Sequence, residues 1–182
     1  MSRLNVPAPD DASPSVQRIL AGVGAQLGFV PDMFKVIASN PAVLEAVTTL
    51  QGTLSRVLDA KTRHSIALAV SEANGCDYCL AIHTYVSSEF GRMSSEDIAL
   101  GRAGSSVDPQ RAAVARFAQR VVESRGRVSD ADLAAVRGAG YTDSQILAIV
   151  AVTVQALFTN FINNVNETDI DIPAVDSAGA PS

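Results

Sequence analysis

Apolar residues along this chain recur at helical spacing, and no run alternates as a half-buried strand would. Ser13-Pro14 reads as the cap and first position of a helix that runs to about Leu27 and ends at Gly28. Pro31 opens a short helix with Met33, Phe34, Val36 and Ile37 facing inward. Asn40-Pro41 caps a third, reaching Leu54 or Leu58. Asp59 caps a helix from about Ala60 to Ala73 with Ile66, Ala69, Val70 and Ala73 as its inner stripe, and Asn74-Gly75 ends it. The next helix starts near Asp77 and runs to Phe90, closed by Gly91. Ser94 or Ser95, followed by Glu96-Asp97, begins a short helix. Asp108-Pro109 begins a longer one, Gln110 to about Ser124, with Ala113, Val114, Phe117 and Val121 inward. Ser129 precedes a helix to about Arg137, and Thr142 or Asp143 caps the last, through to about Val165. The pattern predicts an all-α fold with one helical domain over residues 13–168. Residues 1–12, with Pro7, Pro9 and Asp10, read as an extended arm, and residues 169–182, with Pro173 and Pro181, as an irregular tail.

A chain of 182 residues can bury its own core as one domain. Charged residues make up only 18% and apolar residues 47%, which predicts apolar surface covered by another copy, although many of the apolar residues are Ala. The net charge of −5, with no stripe of Lys or Arg, argues against nucleic-acid or anionic-membrane partners. No apolar run follows Met1-Ser2-Arg3-Leu4, so the start does not read as a signal peptide. The most apolar window, Ile146 to Phe161, is broken by Thr153, Gln155, Thr159 and Asn160 and reads as a buried helix rather than a membrane span. The expected location is the reducing cytoplasm, where paired cysteines are more often catalytic or metal-binding than structural.

The candidate chemistry lies in Gly75-Cys76-Asp77-Tyr78-Cys79-Leu80-Ala81-Ile82-His83, which holds both cysteines and one of the two histidines. Helical offsets of three and four put both sulfurs and the imidazole within side-chain reach. A position at a helix N-terminus favours thiolate, the nucleophilic form. His83, one turn beyond Cys79, is placed to take its proton, which makes Cys79 the candidate attacking thiol and Cys76 the resolving one. The reverse assignment stays open, because the first cysteine of such a turn is often the more acidic. Glu72 could orient His83 or carry its proton, His64 could join the relay, and Tyr78 could line the pocket or donate a hydrogen bond. Zinc binding by the cysteines and His83 lacks a third cysteine, with His64 the only other imidazole. No Gly-rich strand-to-helix motif points to a flavin, haem or nicotinamide cofactor.

The stretch Leu68 to Thr84 resembles the signature of the carboxymuconolactone decarboxylase-like superfamily, and within it the alkylhydroperoxidase AhpD-like, peroxidase-related branch. Leu27 to Pro31 with Asn40-Pro41, and Phe158 to Asn164 with Thr168 to Pro173, are similar to that family's leading and closing segments. The resemblance implies an AhpD-like helical fold, assembly as a trimer or hexamer with sites near subunit contacts, and reduction of hydroperoxides by the cysteine pair. It places the attacking thiol at Cys79, the resolving thiol at Cys76 and the relay histidine at His83. Three departures follow: His64 stands where the family has its relay glutamate, Tyr78 where AhpD has a histidine, and Asn164 where a histidine is frequent. The implied partners are a hydroperoxide and an external dithiol, small molecule or protein. A disulfide-exchange adaptor with little peroxidase activity and a non-catalytic helical oligomer are the competing expectations. The decarboxylase activity of the wider family is disfavoured, since it needs a site for an acidic lactone and no thiol pair.

Overall fold

A computed structural model describes residues 2–6 and 12–173. Among these, nine helices follow in order: α1 Pro14–Leu27, α2 Asp32–Ile37, α3 Pro41–Leu54, α4 Ala60–Ala73, α5 Asp77–Glu89, α6 Ser95–Arg102, α7 Pro109–Glu123, α8 Asp130–Gly138 and α9 Asp143–Asn166. The all-α reading holds, and the helix starts follow the capping chemistry. Side chains of Ser13, Asn40, Asp59, Ser94, Asp108, Ser129 and Thr142 each accept a hydrogen bond from the first turn they precede. Pro31 is the cap of α2 rather than its first residue. Pro7, Pro9, Asp10 and Pro181 lie outside the described residues. Of the arm, the N–H groups of Arg3 and Leu4 donate to the backbone and side-chain oxygens of Asn166 at 2.9 Å, fixing residues 2–4 against the end of α9.

Two cores share the molecule. One is built from α4, α7, α8 and α9, with Ile66, Val70, Val114, Phe117, Val136 and Ile149 at its centre. The other joins α1, α2, α3 and the start of α5 and contains Val16, Phe34, Leu44, Val47, Cys76 and Cys79. α4 runs centrally, with α5, α6, α7 and α9 around it. The single inner stripe read for α4 is therefore corrected: Thr62, Ser65 and Ser71 are buried, whereas Ala73 is exposed. A helix exposed only at its two ends has no continuous solvent face to pattern. On α7, Ala113 is half-buried, and Ala115 and Ala118 take the core positions.

The window read as a buried helix is only half so. α9 has 24 residues and is long and apolar enough, by length and composition, to cross a membrane. Its inner face carries Ile146, Ile149, Val152 and Ala156 into the first core. Its outer face exposes Leu147, Val154, Phe158, Phe161 and Val165.

Candidate active site

The turn between α4 and α5 sets the cysteines in place. Gly75 adopts the left-handed conformation, φ 60°, that ends one helix and redirects the chain into the next. Cys76 is then the N-cap of α5, and the N–H of Cys79 donates to its Sγ at 3.3 Å. Cys76 and Cys79 are joined in a disulfide. Both are almost fully buried, at 0% and 1% exposure.

Asparagines on one face of α9 hold this turn. The amide of Asn163 donates to Sγ of Cys79 at 3.3 Å, Asn160 donates to the hydroxyl of Ser71 at 3.3 Å, and Asn164 donates to the carbonyl of Asn74 at 3.2 Å. Asn160 and Asn163 are buried. Reasoning along the chain gave Asn160 and Asn163 no site role. The available signal was Asn at positions 160, 163 and 164, spaced to share one face of an apolar helix.

The other residues singled out in the sequence fall into three groups. His83 and His64 lie together on a cavity of about 230 Å³, where α3, α4, α5 and α9 meet between the two cores. Gly91 makes room for His64, since a Cβ there would lie 3.0 Å from its ring and 2.7 Å from the Ser87 carbonyl oxygen. Nδ1 of His83 is buried with no hydrogen-bond partner among the described residues. Glu72 is elsewhere: its exposed carboxylate accepts from Nε of Arg102 at 2.7 Å, on the α6 side. Tyr78 is a tie. Its hydroxyl donates to Asp171 at 2.9 Å and accepts from the N–H of Met33 at 3.1 Å. Burial drives its pKa up, the Met33 N–H opposes this, and Asp171 adds to the rise, so the phenol stays protonated. Ile172 packs beside it in the second core, so the start of the tail is laid across the cysteine turn.

Both imidazoles are neutral at neutral pH. Burial lowers the His83 pKa to about 3, with repulsion from His64 adding to it. Burial lowers His64 to about 4, assisted by Arg63 and opposed by Asp59. In the unfolded chain both protonate near pH 6.5. The stability they confer is thus complete above pH 6.5 and is lost as pH falls toward those lower values. We expect the oxidised protein to lose about 1 kcal/mol between pH 7 and pH 5, allowing for the solvent that reaches half-buried rings, or about 2–4 °C in Tm. Thermal unfolding of His64→Gln and His83→Gln variants should show a flatter slope over that interval. An unchanged slope would remove the histidines as its cause.

A buried dithiol at a helix N-terminus, with an amide donor on one sulfur and a neutral imidazole one turn on, can form thiolate and exchange disulfides. Among the described residues, no group of three or more His, Cys, Asp and Glu is placed to hold a metal ion.

Residues 41–123, from α3 through α7, match the carboxymuconolactone decarboxylase family. None of the proteins with curated functions matches the chain. The solved structures it resembles include the alkylhydroperoxidase AhpD core of an uncharacterized peroxidase-related protein from Ralstonia eutropha JMP134, at TM-score 0.84 and 24% identity, covering 93% of this chain and 92% of that one. A peroxidase-related protein from Silicibacter sp. TM1040 matches at TM-score 0.78 and 25% identity, covering 92% and 91%. The debrominase Bmp8, in complex with 2,3,4-tribromopyrrole, matches at TM-score 0.79 and 18% identity over 94% of each chain, so this fold also serves another chemistry. The cysteine turn and both histidines lie inside the region that matches the carboxymuconolactone decarboxylase family, and over nearly its whole length the chain has the AhpD-like helical fold.

Proposed function

We propose that this protein is a thiol-dependent hydroperoxide reductase, a reading carried by the Cys76–Cys79 disulfide at the start of α5 with Asn163 donating to the Cys79 sulfur. In the reduced protein, Cys79 thiolate attacks the terminal oxygen of a hydroperoxide. The O–O bond breaks, the alkoxide leaves as alcohol with a proton passed through His83, and Cys79 becomes a sulfenic acid. The Cys76 thiol displaces water from it to form the disulfide, and an external dithiol of the cytoplasm returns both cysteines to thiols. Glu72, bound to Arg102, takes no part in this relay, and Tyr78 keeps the turn in register with the tail. The test counts free thiols in reduced protein mixed with a small excess of cumene hydroperoxide. Rapid loss of two thiols per chain is expected. With Glu72 held by Arg102 and Nδ1 of His83 without a hydrogen-bond partner among the described residues, a proton relay short of a carboxylate favours a second reading, disulfide exchange with a protein dithiol and slow peroxide turnover. Thiols that survive peroxide yet reduce a test disulfide would select it.

The outer face of α9 supports assembly with further copies of this chain. Leu147, Val154, Phe158, Phe161 and Val165 fall at spacings of seven, four, three and four, the seam along which one helix packs on another at a shallow angle. Between Asp143 and Glu167 the helix carries no charged residue. Two such stripes face to face cover on the order of 1,000 Å², the lower bound of a specific interface. Light scattering should find multiples of the 19.0 kDa chain mass, and a Phe158→Glu, Phe161→Glu variant should fall to a single copy. Wild-type protein that is monomeric at micromolar concentration would overturn this assignment.

A further inference from the structure

We propose that the cavity between the two cores is a pocket for the carboxylate of a small organic acid, anchored by Arg63.

Arg63 is half-buried on the wall of the cavity, and its Nη1 donates to the carbonyl of Leu58. No carboxylate among the described residues lies within ion-pair distance of it. Arg3, Arg102, Arg111, Arg120 and Arg137 all have such a partner. The other arginines without one, Arg18, Arg56, Arg92, Arg116, Arg125 and Arg127, are exposed, where water solvates the charge. Arg63 is thus the one arginine of the described residues both drawn from water and without a carboxylate at ion-pair distance, Asp59 acting on it only from further away. The nearest acid in sequence, Asp59, is committed to the N–H and hydroxyl of Thr62. A guanidinium so placed carries a desolvation cost that an anion would offset, and its planar fork suits a carboxylate.

The rest of the cavity agrees. It has no acidic residue on its lining. Nδ1 of His83 has no hydrogen-bond partner among the described residues, and both imidazoles are neutral, so neither brings a competing charge. Gln51, Ser55 and Gln155 offer uncharged donors, while Leu54, Val86 and Val152 offer an apolar wall for a carbon skeleton. A volume of about 230 Å³ is below the range for drug-sized ligands. It holds the volume of about eight waters, which points to a ligand of about ten heavy atoms. A carboxylate on Arg63 leaves the other end of such a molecule toward His83. The pocket selects the charge of its ligand, and neither cysteine is on its lining.

With only two histidines, the full chain labelled in its imidazoles gives two reporter signals. Oxidised protein would be titrated with benzoate and, separately, with benzamide, which has the same shape without the charge. Benzoate should move both signals saturably at a concentration at least about tenfold below benzamide, and should raise the pH at which His64 titrates by cancelling the repulsion from Arg63. Arg63→Gln should erase the preference, and Arg63→Lys should retain part of it. Equal binding of the two probes, no response to either, or a preference that survives Arg63→Gln would overturn the proposal. An unchanged His83 signal in the unliganded variants would show that the fold is intact. Because no peroxide is used, benzoate binding by a protein whose thiols ignore peroxide would retain the pocket and remove the reductase reading.

Discussion

Replacing Cys79 by serine is expected to lower peroxide consumption by at least about 10³-fold, since the nucleophile itself is gone. Cys76→Ser should behave differently. Its remaining thiol reacts once with hydroperoxide, stops at the sulfenic acid and becomes trappable by a dimedone-type reagent, with no turnover. The structure gives each sulfur a donor: the Cys79 N–H on Cys76 and the Asn163 amide on Cys79, both at 3.3 Å. The pair of variants therefore decides between the two roles. A trapped sulfenic acid at Cys76 in Cys79→Ser, with none at Cys79 in Cys76→Ser, would reverse them. Full turnover in either single variant would remove the dithiol mechanism.

His83→Ala is expected to slow thiol oxidation by about 10²–10⁴-fold at neutral pH, the usual contribution of one positioned acid–base group. Its titration should also report the redox state. In the disulfide form the sulfurs are uncharged, and burial holds the imidazole neutral down to about pH 3. Reduction introduces a thiolate one helical turn away, and an adjacent negative charge favours imidazolium. The His83 signal should therefore titrate at higher pH in reduced than in oxidised protein, and Cys79→Ser should abolish the difference. Equal midpoints in both redox states, with an unaffected rate in His83→Ala, would place the proton elsewhere.

Helix boundaries were legible because they are local. An Asp or Ser side chain caps N–H groups two or three positions away, so Asp59 and Ser94 announce α4 and α6 whatever surrounds them. The same locality places the candidate chemistry: Cys76, Cys79 and His83 fall within two turns at the start of α5, the spacing of a dithiol with an imidazole beside it. The buried positions of α4 differ from one stripe because such a pattern presumes a solvent face along the whole helix, and α4 is exposed only at its ends.

What the linear order could not reveal is which distant groups meet. Glu72 was as close to Cys76 in sequence as His83 is to Cys79, yet packing of α6 puts Arg102, 30 positions away, on its carboxylate. Tyr78 finds Asp171 across 93 positions, and Cys79 finds Asn163 across 84. The lack of a carboxylate at ion-pair distance from Arg63 and the exposed apolar outer face of α9 are likewise properties of assembled helices. Residue types and caps dictate the nine helices and the chemistry each carries. Charge partners, cavities and uncovered faces depend on how whole helices pack, a free energy spread over many side chains far apart in the chain.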